Sequence, residues 1–189
     1  KDLGLHLLKL AVLEKGGDVA KQEAGIREMM AMFPDRPEFR AGLIEFLISK
    51  NRSEEALTEL RAIMAAQPDN SDAGMDLVRL IFRTKGQDAA REELVKLASS
   101  HNKPFKFQMA LADVEFAAGR TKEAEDLLRS VSKSLGISDD GIAAMLKLSG
   151  QLIARKQLPD AKTVIADVLK NDGENAVALS QRGQIQIEE

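Results

Sequence analysis

Three stretches of this sequence decide its fold: SEEALTELRAI (53–63), QDAAREELVKL (87–97) and TKEAEDLLRSV (121–131). Each has an alanine at its fourth position, and Ala56, Ala90 and Ala124 stand 34 residues apart. Each then places apolar residues four and seven positions on: Leu60 and Ile63, Leu94 and Leu97, Leu128 and Val131. Positions i, i+4 and i+7 fall on one face of a helix, so each stretch predicts an amphipathic helix. Pro34 and Pro68, also 34 apart, close helices where proline commonly stands.

Working outward, a second apolar stripe precedes each of these helices. It runs through Leu43 and Leu47, then Leu77 and Ile81, then Leu111 and Val114. Turn signals separate the paired stripes at Gly16-Gly17-Asp18, Lys50-Asn51-Arg52, Lys85-Gly86 and Gly119-Arg120. Ser53 and Thr121 stand where an N-cap would, each followed by acidic residues that suit a helix start. The chain therefore reads as repeated helical hairpins.

A 34-residue helix-turn-helix with a small residue opening the second helix and proline near its end resembles the tetratricopeptide repeat. With each unit numbered from 1 to 34, Ala56, Ala90 and Ala124 take the small position 20, and Pro34 and Pro68 take position 32. Leu43, Leu77, Leu111 and Leu148 take the position-7 leucine, and Gly17 and Gly119 the turn glycine. The departures are plain: His6, Arg40, Gly74, Gln108 and Met145 stand where a large aromatic is usual, and Gln22 replaces the small residue of the first unit. Leu10, Ile44, Val78, Ala112 and Ser149 occupy the usually small position 8. Ala161 takes position 20 in a fifth unit, 37 residues after Ala124, with the insertion in Leu135–Asp140. Pro159 then lies in the first turn of a helix.

The resemblance implies an all-α, right-handed superhelical solenoid of about five hairpins plus one extra helix. Its units run 3–36, 37–70, 71–104, 105–141 and 142–175, with 176–189 as the first helix of a sixth. A start at Lys1 without Met and an end inside a helical pattern are expected of a fragment of a longer protein. Stacked hairpins bury faces that none buries alone.

In such a family the first helices line a concave groove. Carried over by position, Met75, Arg79 and Phe82, then Met109, Asp113 and Phe116, occupy its middle. Glu45 and Ile48 flank them on one side, Leu146 and Ile153 on the other. A groove of Met, Phe and Ile with scattered charge suits an amphipathic helix or an extended apolar segment. Phe82 and Phe116 are equally readable as core between hairpins. Position 5 holds Leu7, Ala41, Met75, Met109 and Leu146, and position 9 holds Ala11, Glu45, Arg79, Asp113 and Gly150. The Lys and Asn that family members use to clamp the acidic tails of heat-shock chaperones are thus missing.

Composition narrows the function classes. Of 189 residues, 44% are hydrophobic and 30% charged, the balance of a globular chain. The only aromatics are Phe, so Ala and Leu must do most of the packing. A net charge of -3 argues against nucleic acid as partner. The absence of Cys excludes disulfides, thiolate catalysis and Cys-ligated zinc. Apolar runs such as 43–48 are short and interrupted, so no membrane insertion is expected.

No chemistry emerges beyond this. His6 and His101 lack a metal-binding spacing; His6 reads as a helix-surface residue and His101 as one near a helix end. Gly16-Gly17 lacks the Lys-Ser/Thr of a phosphate loop. Asp139-Asp140 lacks the ligand alternation of a calcium loop and reads as a helix start after Ser138. Asn51-Arg52-Ser53 matches a glycosylation acceptor but coincides with a turn. Glu54-Glu55 and Glu92-Glu93 read as solvated helix faces, because adjacent helical residues point different ways. The expectation is no enzyme, no cofactor and no metal.

Function is then expected to be a protein–protein interaction scaffold that holds a peptide or helix in its groove. The rival expectation is a rigid structural spacer in a larger assembly, for instance in a bacterial envelope or exopolysaccharide-export system. Either a periplasmic or a cytoplasmic setting fits. Val177, Ile185 and Ile187 are expected to lie bare on the last helix and to favour self-association.

Overall fold

A computed structural model describes residues 3–100 and 105–188, so His101 lies outside the described residues. Among the described residues there are eleven α-helices and no strand. The first helices of the pairs are α1 (Leu3–Gly16), α3 (Pro37–Ser49), α5 (Ser71–Lys85), α7 (Phe105–Ala117) and α9 (Asp139–Ala154). The second helices are α2 (Val19–Met32), α4 (Ser53–Ala66), α6 (Gln87–Ala98), α8 (Thr121–Leu135) and α10 (Leu158–Asn171). The last helix is α11 (Ala176–Glu188). Packing runs between consecutive helices, α1 on α2 through to α4 on α5, and α7 on α8 through to α10 on α11. This is the all-α stack of hairpins that the 34-residue spacing predicts.

The chain divides into two compact units, Lys1–Ala90 and Arg91–Glu189. The core of the first is built from Met29, Leu43, Leu47, Leu57, Leu60, Leu77 and Ile81. That of the second gathers Leu128, Val131, Leu148, Leu152, Ile165 and Val168 around Ala112, Ala144 and Ala161. The position-20 alanines explain the tight approach of these helices: Ala56, Ala124 and Ala161 are wholly buried, and Ala90 is 5% exposed. A longer side chain at these points would overpack a close helix contact, at about 1–3 kcal/mol. Where Gln22 replaces the small residue, its side-chain amide donates to the carbonyls of Leu13 and Glu14, both at 3.1 Å. It thereby satisfies two carbonyls at the end of α1 that have no helical partner.

The turn inside the hairpin is built the same way at three places. Asn51 N–H donates to Ile48 O at 3.0 Å, and Arg52 N–H to Leu47 O at 2.9 Å. Gly119 and Arg120 repeat the pair on Phe116 and Glu115, and Lys156 and Gln157 on Ile153 and Leu152. Each closes the helix with a left-handed residue, at φ 59° for Asn51, 75° for Gly119 and 60° for Lys156. This geometry moves the helix start by one residue. Arg52 and Arg120, not Ser53 and Thr121, are the N-cap residues, and neither supplies a side-chain cap bond. The serine and threonine sit inside the first turn because the residue before them is already committed to closing the previous helix.

Side-chain caps instead mark Asp18 on Lys21 N–H, Asn70 on Ala73 N–H, Ser138 on Gly141 N–H and Asn175 on Ala178 N–H. Ser138 opens α9 at Asp139, three residues ahead of the point where the repeat frame resumes at 142. Gly136 turns the chain at φ 60°, and its carbonyl crowds Gly141 so closely that a Cβ there would clash. Pro159 falls in the first turn of α10, as expected. Among the described residues no helix is long and apolar enough to cross a membrane.

Candidate functional site

In the first unit, α3 and α5 each pack on α4, and no comparable packing joins them to each other. Helices linked by short turns alternate in direction, so α3 and α5 run parallel on either side of an open channel. The channel has a volume of about 1170 Å³. Ile44, Leu60, Ile63 and Leu80 form its apolar lining, with Met30 and Phe33 contributed by the preceding hairpin. Phe33 is fixed by its neighbours: its ring meets Phe39 at 5.9 Å and His6 edge-on at 6.3 Å. His6 is therefore half-buried against an aromatic ring rather than a free surface residue.

Four of the groove residues named from the sequence line this channel: Glu45 and Ile48 from α3, Arg79 and Phe82 from α5. Ile48 and Phe82 are 34 residues apart and hold the same place in their helices. Phe82 is 58% exposed, unusual for a phenylalanine on a helix that is otherwise amphipathic. Arg79 forms an ion pair with Asp76 one turn back. Met75 is half-buried and does not line the channel.

The second unit treats its equivalent residues differently. Phe116 packs against the core cluster and lies under the Arg155 guanidinium at 5.8 Å from the ring centre. Arg155 is held in turn by Glu125. Met109 and Leu146 pack against the same cluster. Asp113 forms an ion pair with Lys147. Ile153 is 1% exposed and belongs to the core, so it presents nothing to a partner. Its assignment to the groove fails because its side chain is buried within the core cluster of this unit. The two phenylalanines thus part ways: Phe82 is open, Phe116 is packed.

Sequence reasoning passed over the most buried acid. Glu115 is 3% exposed and sits between Arg91 Nε, at 2.7 Å, and Arg120. The available signal was positional, because Glu115 shares a helix face with Leu111 and Ala112. On α11, Val177 and Ile187 are exposed at 52% and 88%, but Ile185 is 1% exposed and packed into the core. That removes it from the bare face expected of this helix.

Residues 26–81 match the tetratricopeptide-repeat family model. Among curated proteins nothing matches the chain. Solved structures do. A thermophilic tetratricopeptide-repeat protein of Thermus thermophilus is 15% identical, with 97% of this chain and 98% of that one covered at a TM-score of 0.52. YrrB, described as having an unusual peptide-binding site, is 11% identical, with 94% and 90% covered and a TM-score of 0.54. A chain of the Naa15/Naa10 complex bound to HypK-THB is 15% identical at a TM-score of 0.58; the likeness covers 95% of this chain and 28% of that one. Residues 26–81 thus carry the tetratricopeptide repeat, and over the rest of the chain the likenesses show the same kind of helical-hairpin fold.

Proposed function

We propose that the chain is a protein–protein interaction scaffold whose first unit holds a peptide or helical segment of another protein in the channel between α3 and α5. Tetratricopeptide folds support this role in general. The observation that carries the reading here is Phe82, more than half exposed on the wall of an apolar-lined channel. An aromatic ring beside a concave apolar surface is the usual anchor of a protein interface. The test is a pull-down from source-cell extract with the intact chain and its Phe82→Ser variant, each checked by circular dichroism. Partners captured by the first and lost by the second support the reading; equal capture by both overturns it.

A second reading, a rigid spacer, draws on the second unit. Its groove positions are engaged by other residues of the same unit: Asp113 by Lys147, Phe116 by Arg155, Met109 and Leu146 by the core. There α9 and α11 also pack directly, joined by a buried Ser149–Gln181 hydrogen bond. A face satisfied from within suits holding shape better than capture. Partner binding that survives deletion of residues 1–90 would favour the spacer reading for the first unit instead.

A further inference from the structure

The channel of the first unit carries a polarity, and it follows from sorting its charges into those already engaged and those left over. Arg36 pairs with Glu38 at 3.1 Å, Arg40 lies 3.9 Å from Glu59, and Arg79 pairs with Asp76. Asp72 is also engaged. Three lining charges remain without an ion-pair partner among the described residues: Asp35, Glu45 and Arg83. They are ordered along the groove. Asp35 precedes α3, Glu45 lies in the body of α3, and Arg83 lies near the C-terminal end of α5. Since α3 and α5 run parallel, both acids lie on the N-terminal side of the Ile48–Phe82 pair and the cation lies level with it or beyond.

We propose that this channel selects an extended segment of dipolar pattern: a central apolar side chain between Ile48 and Phe82, a basic residue toward Glu45 and an acidic residue beside Arg83. The inference rests on the binding role proposed above and adds the chemistry of the occupant. Spacing follows from geometry. Glu45 is three residues before Ile48, about 4.5 Å along the helix axis. An extended chain advances about 3.3 Å per residue, so the basic residue stands one or two positions from the apolar one. Arg83 is the next residue after Phe82, which puts the acid close on the opposite flank. Neither a uniformly acidic nor a uniformly basic segment satisfies both charges, because one of them would face its own sign.

The experiment is selection from a displayed library of random dodecapeptides on the intact chain, followed by titration of the enriched peptide into the parent and three variants. The expected winner carries base, apolar residue and acid in that spacing. Arg83→Glu and Glu45→Lys each weaken it by about fivefold, and a peptide with the opposed charge exchanged recovers the loss on its matching variant. Phe82→Ser abolishes binding. If winners depend on Phe82 yet ignore both charge variants, the dipolar pattern is wrong and the binding role stands. If nothing is enriched, or the winners ignore Phe82→Ser, both fall.

Discussion

Arg91 donates from Nε to one carboxylate oxygen of Glu115 at 2.7 Å, and Arg120 takes the other oxygen. The three residues come from α6, α7 and the turn before α8, so one buried acid ties together three consecutive pieces of the second unit. The same turn is fastened by the backbone, with Arg120 N–H on Glu115 O at 2.9 Å. Both arginines are about one-third exposed, at 34% and 35%, while the carboxylate is 4% exposed. The acid is therefore the member with no recourse to water.

That asymmetry makes a prediction. Arg91→Met leaves Glu115 buried with one partner and is expected to cost about 1–3 kcal/mol. Arg91→Met with Arg120→Met costs more than the sum of the singles, because the first loss is cushioned by the surviving arginine. Glu115→Gln, which removes the buried charge and frees two arginines to reach solvent, costs less than the double change. Urea unfolding midpoints of the parent, the two single arginine variants, the double variant and Glu115→Gln check the order. Equal losses for Glu115→Gln and the double variant would contradict it.

The hairpin turns give a second prediction. Lys156 holds a left-handed backbone at φ 60° that Gly119 holds in the equivalent turn. A side chain in that conformation costs about 1–2 kcal/mol. Lys156→Gly is expected to stabilise by about 0.5–1 kcal/mol once glycine's greater freedom in the unfolded chain is deducted. The exposed Lys156–Glu188 pair that is lost counts for little. Gly119→Ala moves stability the other way by a similar amount. Thermal midpoints of both variants decide it, and a destabilised Lys156→Gly would count against the strain.

How far these features were legible in the sequence depends on what carries them. The repeat was legible because Ala56, Ala90 and Ala124 must be small for helices to meet, and that demand recurs at each hairpin. The turns were half legible: Gly17 and Gly119 announce a left-handed residue and Asn51, the side chain that most readily adopts one, hints at it, whereas Lys156 hides the same conformation. For that reason Ser53 and Thr121 look like caps when Arg52 and Arg120 hold the position. The groove was the least legible. Position within a repeat says which way a residue points, not how nearly its neighbours close over it, so Phe82 and Phe116 look alike in sequence and differ in exposure. Ile153 was lost to the core for the same reason.

Acid sensitivity of the first unit is a third prediction. Arg52 bonds Glu23 of α2 and Glu55 of its own helix. The Arg52 guanidinium holds both carboxyls below the ordinary glutamate value of 4.5. Asp18 is lowered too, first by its capping bond from Lys21 N–H. A depressed carboxyl stabilises the fold above its unfolded value and ceases to do so as pH falls through its folded one. The thermal midpoint is therefore expected to be level near neutral pH and to fall as pH drops below about 4.5. Arg52→Met lowers the neutral plateau and makes the acid limb shallower, since Glu23 and Glu55 then titrate closer to their unfolded values. Parallel acid limbs in the two proteins would rule out Arg52 as the cause.

The last prediction concerns the link between α9 and α11. Ser149 is wholly buried, and its hydroxyl meets Gln181 Oε1 at 2.6 Å. The Gln181 amide donates to Leu146 O at 3.0 Å, so one side chain satisfies both a hydroxyl and a helix carbonyl. Gly150 leaves room for it, because a Cβ there would come within 3.1 Å of the Gln181 amide nitrogen. Gln181→Leu leaves the Ser149 hydroxyl only its own-helix acceptor, Leu146 O at 3.1 Å, and is expected to cost about 0.5–1.5 kcal/mol. Ser149→Ala alone leaves the Gln181–Leu146 bond intact and costs less. The double variant costs less than the sum of the two single changes, because the Ser149–Gln181 bond can be lost only once. A double-mutant cycle on unfolding free energies measures this directly. A coupling of about 0.5 kcal/mol or more between the two sites is the expected result. Simple additivity would mean that the Ser149–Gln181 bond contributes nothing to the docking of α11, leaving it to the Gln181–Leu146 bond, the Lys156–Glu188 pair and the apolar contacts of Ala178 and Ile185.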